Sequence, residues 1–216
     1  MAEIRASPYL ATAGRVRVAY QFFGDVYDPL IHLSFPGYAR SVAETYLEHI
    51  PRSLAGPVVE VGPGTGLLTQ ALAGACPGRR IIGVDLSMKM LRIARGRTGP
   101  SVDWLVGDAC EGIPLQSGAA AVVVCQYTFG HLESPQRAFN EMRRVLRRGG
   151  VLMLGAVVAR GAARLGRWLN GTRGLDPEVT CGVLGESGFA DVSWAPFRGR
   201  SRSMRRRFVL VRAVAA

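Results

Sequence analysis

Nine residues, Val58-Val59-Glu60-Val61-Gly62-Pro63-Gly64-Thr65-Gly66, constrain this 216-residue chain more than any others. The apolar run reads as a short buried strand, followed by a tight glycine loop and the start of a helix. Glycines at 62, 64 and 66 let the backbone approach a bound molecule without Cβ interference. Such a loop also aims amide N–H groups and a helix N-terminus at its ligand. The spacing is G-x-G-x-G. A dinucleotide fingerprint needs G-x-G-x-x-G, and Leu67 stands where its third Gly belongs. Glu60 beside the loop would repel a pyrophosphate but suits a ligand with an ammonium group. Taken alone, the same residues also fit an ordinary strand-to-helix turn.

The surrounding pattern extends this unit. Arg80-Ile81-Ile82-Gly83-Val84 reads as a second strand ending in Asp85, and an acid at that tip can accept both hydroxyls of a ribose. Strands are expected near 57–61, 80–84, 102–106, 120–125 and 150–157, with helices near 66–75, 87–97 and 134–146. This alternation predicts a parallel, doubly wound sheet. Ser134-Pro135 and Asp176-Pro177-Glu178 are N-cap and first-turn signals. The second opens a helix that ends near Gly188. Strands near Phe189–Pro196 and Arg207–Val214 then form an antiparallel hairpin.

Residues 1–55 precede the loop and predict a helical cover over a core spanning 56–216, all in one domain. Val16, Tyr20, Phe23, Tyr27 and Ile31 follow helical spacing. Asp28-Pro29 reads as a restart of that helix, and Pro36-Gly37 as its break. A further helix is expected from Tyr38 to His49. Tyr20 and Tyr27 are candidate lid residues over a pocket, and His32 and His49 are candidates to face it.

The net charge of +11 is uneven. Residues 143–216 carry 15 arginines against four acids, whereas residues 1–142 are balanced. Six of those arginines fall in Phe197–Phe208. A solvated loop is one reading; attraction to an anionic surface such as a membrane is the other. Cys76, Cys110, Cys125 and Cys181 form no CxxC pair and read as small core residues, with no metal site in their spacing. The longest apolar runs are short of a membrane span. The N-terminus shows no secretory pattern, so a cytoplasmic protein is expected, with peripheral contact at the inner membrane face.

Together these segments resemble the class I S-adenosylmethionine (SAM) methyltransferases. Val58–Gly66 is similar to their first motif and Gly83–Leu91 to their second. Gly107-Asp108-Ala109 is similar to the third, and Arg144–Gly150 to the turn before their fifth strand. The resemblance implies a Rossmann-like α/β fold with a seven-stranded doubly wound sheet, an antiparallel last strand and an N-terminal helical cover. It implies SAM as cofactor. Glu60 would meet the methionine amine, Gly62, Gly64 and Gly66 would allow close approach, and Asp85 would hold the ribose. Leu86 and Met88 would flank the adenine, with Asp108 and Ala109 at its amino group.

Methyl transfer from a sulfonium needs alignment and exclusion of water more than acid–base chemistry. Gln126 and Tyr127, at the end of the fourth strand, stand where related enzymes face the methyl group. His131 is the general-base candidate, with Tyr127 beside it; a structural His capping the loop before the next helix is the other reading. The N-P-P-Y and K-D-K-E signatures of nucleic-acid and glutamine methylation are absent, which opposes a nucleic-acid acceptor despite the charge. What remains resembles the branch holding quinone-biosynthesis and bacterial phospholipid N-methyltransferases. The thin cover after the fifth strand, with Arg160, Arg164, Arg167 and Trp168, suits an amphiphile. The expected acceptor is a phosphatidylethanolamine-type amine. Alternatives are a quinone or other small aromatic, and a SAM-binding protein that transfers no methyl group.

Overall fold

The computed structural model describes residues 26–51, 54–158, 174–198 and 202–216. Its strands are β1 (Val58–Val61), β2 (Ile81–Asp85), β3 (Val102–Val106), β4 (Ala120–Gln126), β5 (Leu146–Val157), β6 (Phe189–Pro196) and β7 (Phe208–Ala215). They form one sheet in the order β3-β2-β1-β4-β5-β7-β6. The first five run parallel, and β7 lies antiparallel between β5 and β6. Helices are α1 (residues 26–34), α2 (Tyr38–His49), α3 (Leu67–Ala75), α4 (Met88–Thr98), α5 (Pro135–Val145), α6 (Pro177–Glu186) and α7 (Arg202–Arg207). This is the Rossmann-like arrangement that the alternating pattern predicts.

Strand periodicity decides which side chains share a face. Val59, Val61, Ile82, Val84, Val123 and Cys125 point to the side packed by Phe139 and Met142 of α5 and Leu184 of α6. Val58, Ile81, Val122, Val124 and Met153 point to the other side, against Tyr46 of α2 and Leu68 and Leu72 of α3. Two-residue steps along the second set lead from Val58 to Glu60, from Ile81 to Asp85 and from Val122 to Gln126. The strands' hydrophobic register therefore delivers three polar side chains to one face at their C-terminal ends.

The helix signals operate as their chemistry dictates. Ser134 caps α5 by accepting from the Arg137 N–H at 3.4 Å. Asp176 caps α6 by accepting from Glu178 and Val179, with Pro177 in the first turn. Asp28-Pro29 does not restart a helix. Residues 26–34 are continuously helical, and the Asp28 carboxylate is engaged elsewhere. The basic segment is also more than a loop: it holds the short helix α7. Phe197, Met204 and Phe208 are buried there, while Arg202, Arg206 and Arg207 face solvent. Val16, Tyr20 and Phe23 lie outside the described residues, as do Arg160, Arg164, Arg167 and Trp168.

Candidate functional site

A cleft of about 1000 Å³, its open mouth included, lies at the C-terminal ends of β1, β2 and β4. This is where ligands bind open α/β sheets. Glu60, Gly62, Gly64, Asp85, Leu86, Asp108, Ala109, Gln126, Tyr127, His131 and Tyr27 all line it.

Glu60 is 2% exposed, and its Oε2 accepts from the Thr69 hydroxyl of α3 at 2.6 Å. Burial pushes its carboxyl up to about 7, against the pull of the Thr69 hydrogen bond. A buried acid of this kind is stabilised when a cation arrives. Asp85 is held from both sides: Gly64 N–H donates to Oδ2 at 3.0 Å and Ser87 N–H to Oδ1 at 2.8 Å. Burial raises its pKa, and these amide donors partly offset the rise. Each oxygen keeps a lone pair for an incoming hydroxyl. Asp108 turns Oδ1 to the Cys110 N–H at 2.8 Å.

The three loop glycines do different jobs. Only at Gly64, with φ +55°, would an added Cβ point into open space. At Gly62 it would lie 2.3 Å from Thr128 Oγ1, and Thr128 donates to the Gly62 carbonyl at 3.0 Å. At Gly66 it would lie 2.9 Å from Ala94 Cβ, so that glycine lets α3 and α4 approach. Gly66 is not among the lining residues, and neither is Met88, whose side chain is 47% exposed. Met90, two residues further on, is buried and lines the cleft instead.

The opposite wall is aromatic. Tyr127 follows β4 in a left-handed backbone conformation, φ +59°, uncommon for a side chain of its size. That bend turns its ring against Phe35, Tyr38 and Phe208, at centroid distances of 6.2, 6.4 and 5.7 Å. Gln126 Nε2 donates to the Tyr38 hydroxyl at 3.1 Å. Gly155 of β5 leaves room for the Gln126 amide and the Tyr46 hydroxyl, both of which an added Cβ would strike. His131 ends a 3₁₀ turn, and burial pulls its imidazole down to about 4, so it is neutral near pH 7. A neutral imidazole with so low a pKa serves better as a hydrogen-bonding group than as a store for a proton.

His32 and His49 do not face the cleft; each donates Nδ1–H to a carbonyl one turn back in its own helix, at 2.7 Å. Tyr20 lies outside the described residues. Sequence reasoning missed Thr69, which orients Glu60, and Tyr38, which meets Gln126. The only signal for Tyr38 was its place as first residue of a helix after Pro36-Gly37, on a stripe with Val42 and Tyr46.

The residues present fit SAM: a buried acid for its amine, a pre-oriented acid for its ribose, and open space at Gly64 beside the loop. The methyltransferase domain family matches residues 59–154. A malonyl-[acyl-carrier protein] O-methyltransferase of Geobacter sulfurreducens is 41% identical over 95 residues, 44% of this chain and 36% of that protein. A ubiquinone/menaquinone biosynthesis C-methyltransferase of Syntrophotalea carbinolica is 30% identical over 130 residues, covering 59% of this chain and 55% of that one. The chain thus spans about a third to a half of the length of these curated relatives. A Thermotoga maritima SAM-dependent methyltransferase structure superposes with a TM-score of 0.73 at 22% identity, covering 91% of this chain and 98% of that one, and shares the fold. Motif order, strand topology and these similarities agree: residues 59–154 match the methyltransferase domain family, and the chain is similar to class I SAM-dependent methyltransferases.

Proposed function

We propose that this protein transfers the methyl group of SAM to a small amphiphilic acceptor, with an amine of the phosphatidylethanolamine type preferred. In this reading Glu60 takes the ammonium group of SAM, Asp85 the ribose hydroxyls and Asp108 the adenine amino group. Leu86 and Met90 pack against the base, with Ala109 beside them. When bound, SAM supplies an electrophilic methyl carbon on a sulfonium with a neutral thioether as leaving group. Gln126, Tyr38 and Tyr127 then hold the acceptor in line and keep water out.

The observation that carries the acceptor class is the lining at this end of the cleft. Tyr27, Tyr38 and Tyr127 present aromatic surface, and among the described lining residues there is no Lys or Arg. An anionic acceptor finds no countercharge there, whereas tyrosine faces suit a neutral amine that attacks through its lone pair and the ammonium it becomes on methylation. A flat quinone is the second reading; the same aromatic wall and the quinone-methylating relative favour it.

The outer face of α1 supports an approach to lipid from a membrane surface. Val26, Leu30 and Leu33 are 47%, 53% and 81% exposed at helical spacing. Arg207 of α7 lies 6.0 Å from the ring of Phe35, at the end of that helix. An aliphatic stripe on a helix whose C-terminal end lies near Arg207 suits peripheral contact with an anionic bilayer at the inner face of the cytoplasmic membrane. Among the described residues no helix is long and apolar enough to cross a membrane.

The test is methyl transfer from radiolabelled SAM into a total lipid extract separated by thin-layer chromatography. Label is expected in a zwitterionic phospholipid band. Label in a neutral quinone band would move the assignment to the second reading. SAM binding without transfer to any lipid or soluble metabolite would leave a SAM-binding protein that is not an enzyme.

A further inference from the structure

The clearest feature not used by that reading joins the cover helix to the glycine loop. Asp28 of α1 accepts from the Thr65 hydroxyl at 2.5 Å through one carboxylate oxygen and pairs with the Arg97 guanidinium through the other. Arg97, in the last turn of α4, also donates Nε–H to the Thr65 carbonyl at 2.9 Å. Three elements far apart in sequence therefore meet at one ion pair. Thr65 belongs to the loop that carries Gly64, and Gly64 holds Asp85.

The two ends of α1 are held by different chemistry. Towards its C-terminal end, Ile31 is buried, and Phe35 just beyond packs edge-on against Phe208 with centroids 5.1 Å apart. Next comes Gly37, with φ +76°, where the chain turns into α2. Towards the other end, Tyr27 lies over the cleft, and its neighbour Asp28 reaches the loop. The Arg97 and Asp28 side chains are 24% and 22% exposed, so water and salt reach them. A polar, salt-accessible contact at one end and an apolar anchor beside a glycine at the other is the construction of a hinged lid with a latch.

We propose that the Asp28–Arg97 pair latches α1 over the bound cofactor, and that opening of this latch sets the rate of cofactor exchange. The proposal rests on the SAM site described above. While the latch is closed, Tyr27 covers the cleft and Thr65 is fixed. When it opens, α1 pivots near Gly37 and uncovers the loop.

The experiment follows release of radiolabelled SAM after a chase of unlabelled SAM, for wild type, Asp28→Asn, Arg97→Gln, the double variant and the exchanged pair Asp28→Arg/Arg97→Asp. Amide hydrogen exchange of residues 26–35 without ligand is measured alongside. Each single variant is expected to speed release about tenfold, with no further gain in the double variant. Wild-type release should quicken between about 50 mM and about 500 mM salt, and Asp28→Asn should not respond. Exchange over 26–35 should rise in the variants while the β1 and β4 amides stay protected. Partial recovery in the exchanged pair would support a direct ionic contact. Unchanged release and exchange, or fully additive effects, would overturn the latch while leaving the SAM site standing. A wild type that binds no SAM, yet shows latch-dependent exchange of α1, would overturn the cofactor site itself.

Discussion

The floor and the roof of the cleft are built from different materials. The floor consists of strand tips and a loop: Glu60 and Asp85 on buried strands, and Gly64 between them. Its positions are fixed by parallel register, with Glu60 opposite Gly83 on one side and Val124 on the other. The roof draws on rings from separate segments: Tyr27 of α1, Phe35 just beyond it, Tyr127 after β4 and Phe208 opening β7, with Phe35 packed edge to face against Tyr127 and Phe208. A floor tied to the sheet core moves only if the core moves. A roof assembled from long-range side-chain contacts can be re-shaped by single substitutions. In the proposed reading the floor holds SAM and the roof selects the acceptor.

The largest effects should come from separating the loop glycines. Gly66→Ala forces a Cβ to 2.9 Å from Ala94 in a backbone with φ +81°. Overpacking and strain together predict a loss of about 3 kcal/mol, read as a drop in thermal midpoint. Gly64→Ala meets no atom within 4 Å. Its stability cost should be about 1 kcal/mol, with SAM binding impaired instead. Equal destabilisation by both would break the division of labour among these glycines.

This contrast also marks what a reader of the sequence could and could not see. The loop, the placing of Glu60, Asp85 and Asp108 at strand ends and the alternation of strands and helices were legible because they depend on local spacing. Gly62 and Gly66 looked equivalent to Gly64, since nothing in G-x-G-x-G tells which glycine opens on free space and which abuts Thr128 or Ala94. Met88 was named where Met90 lines the cleft, because helix phase after Ser87 cannot be set from the strand before it. Tyr38 and Thr69 were missed for a related reason. Their importance depends on meeting Gln126 and Glu60 across the fold. Asp28 looked like a helix cap, and only the tertiary structure sends it to Arg97 and Thr65.

The electrostatics of the floor give the next test. Without ligand, Glu60 titrates near 7 because burial disfavours its charged form. An ammonium group binds the carboxylate better than the acid. Affinity for SAM should therefore rise with pH as Glu60 ionises, by up to about tenfold per pH unit below 7, and level off above it. Glu60→Gln should weaken binding and flatten that rise. A wild-type binding isotherm independent of pH between about 5.5 and 8 would contradict the assigned partner of Glu60.

The smallest effect belongs to the roof. Tyr38→Phe removes the acceptor for Gln126 Nε2 and leaves the ring in place. The expected cost is about 1 kcal/mol, appearing in kcat or in acceptor KM with the SAM dissociation constant unchanged. A loss of SAM affinity in this variant would merge roof and floor into one unit.

The most direct test of the central claim is equilibrium dialysis of radiolabelled SAM against wild type and Asp85→Ala. Asp85 lines the cleft and organises the loop through Gly64 and Ser87. The expected result is one saturable site in the wild type, weakened about 100-fold in the variant, a loss of about 2.7 kcal/mol. No saturable binding, or equal affinity in the two proteins, would contradict the placement of SAM at the tips of β1 and β2.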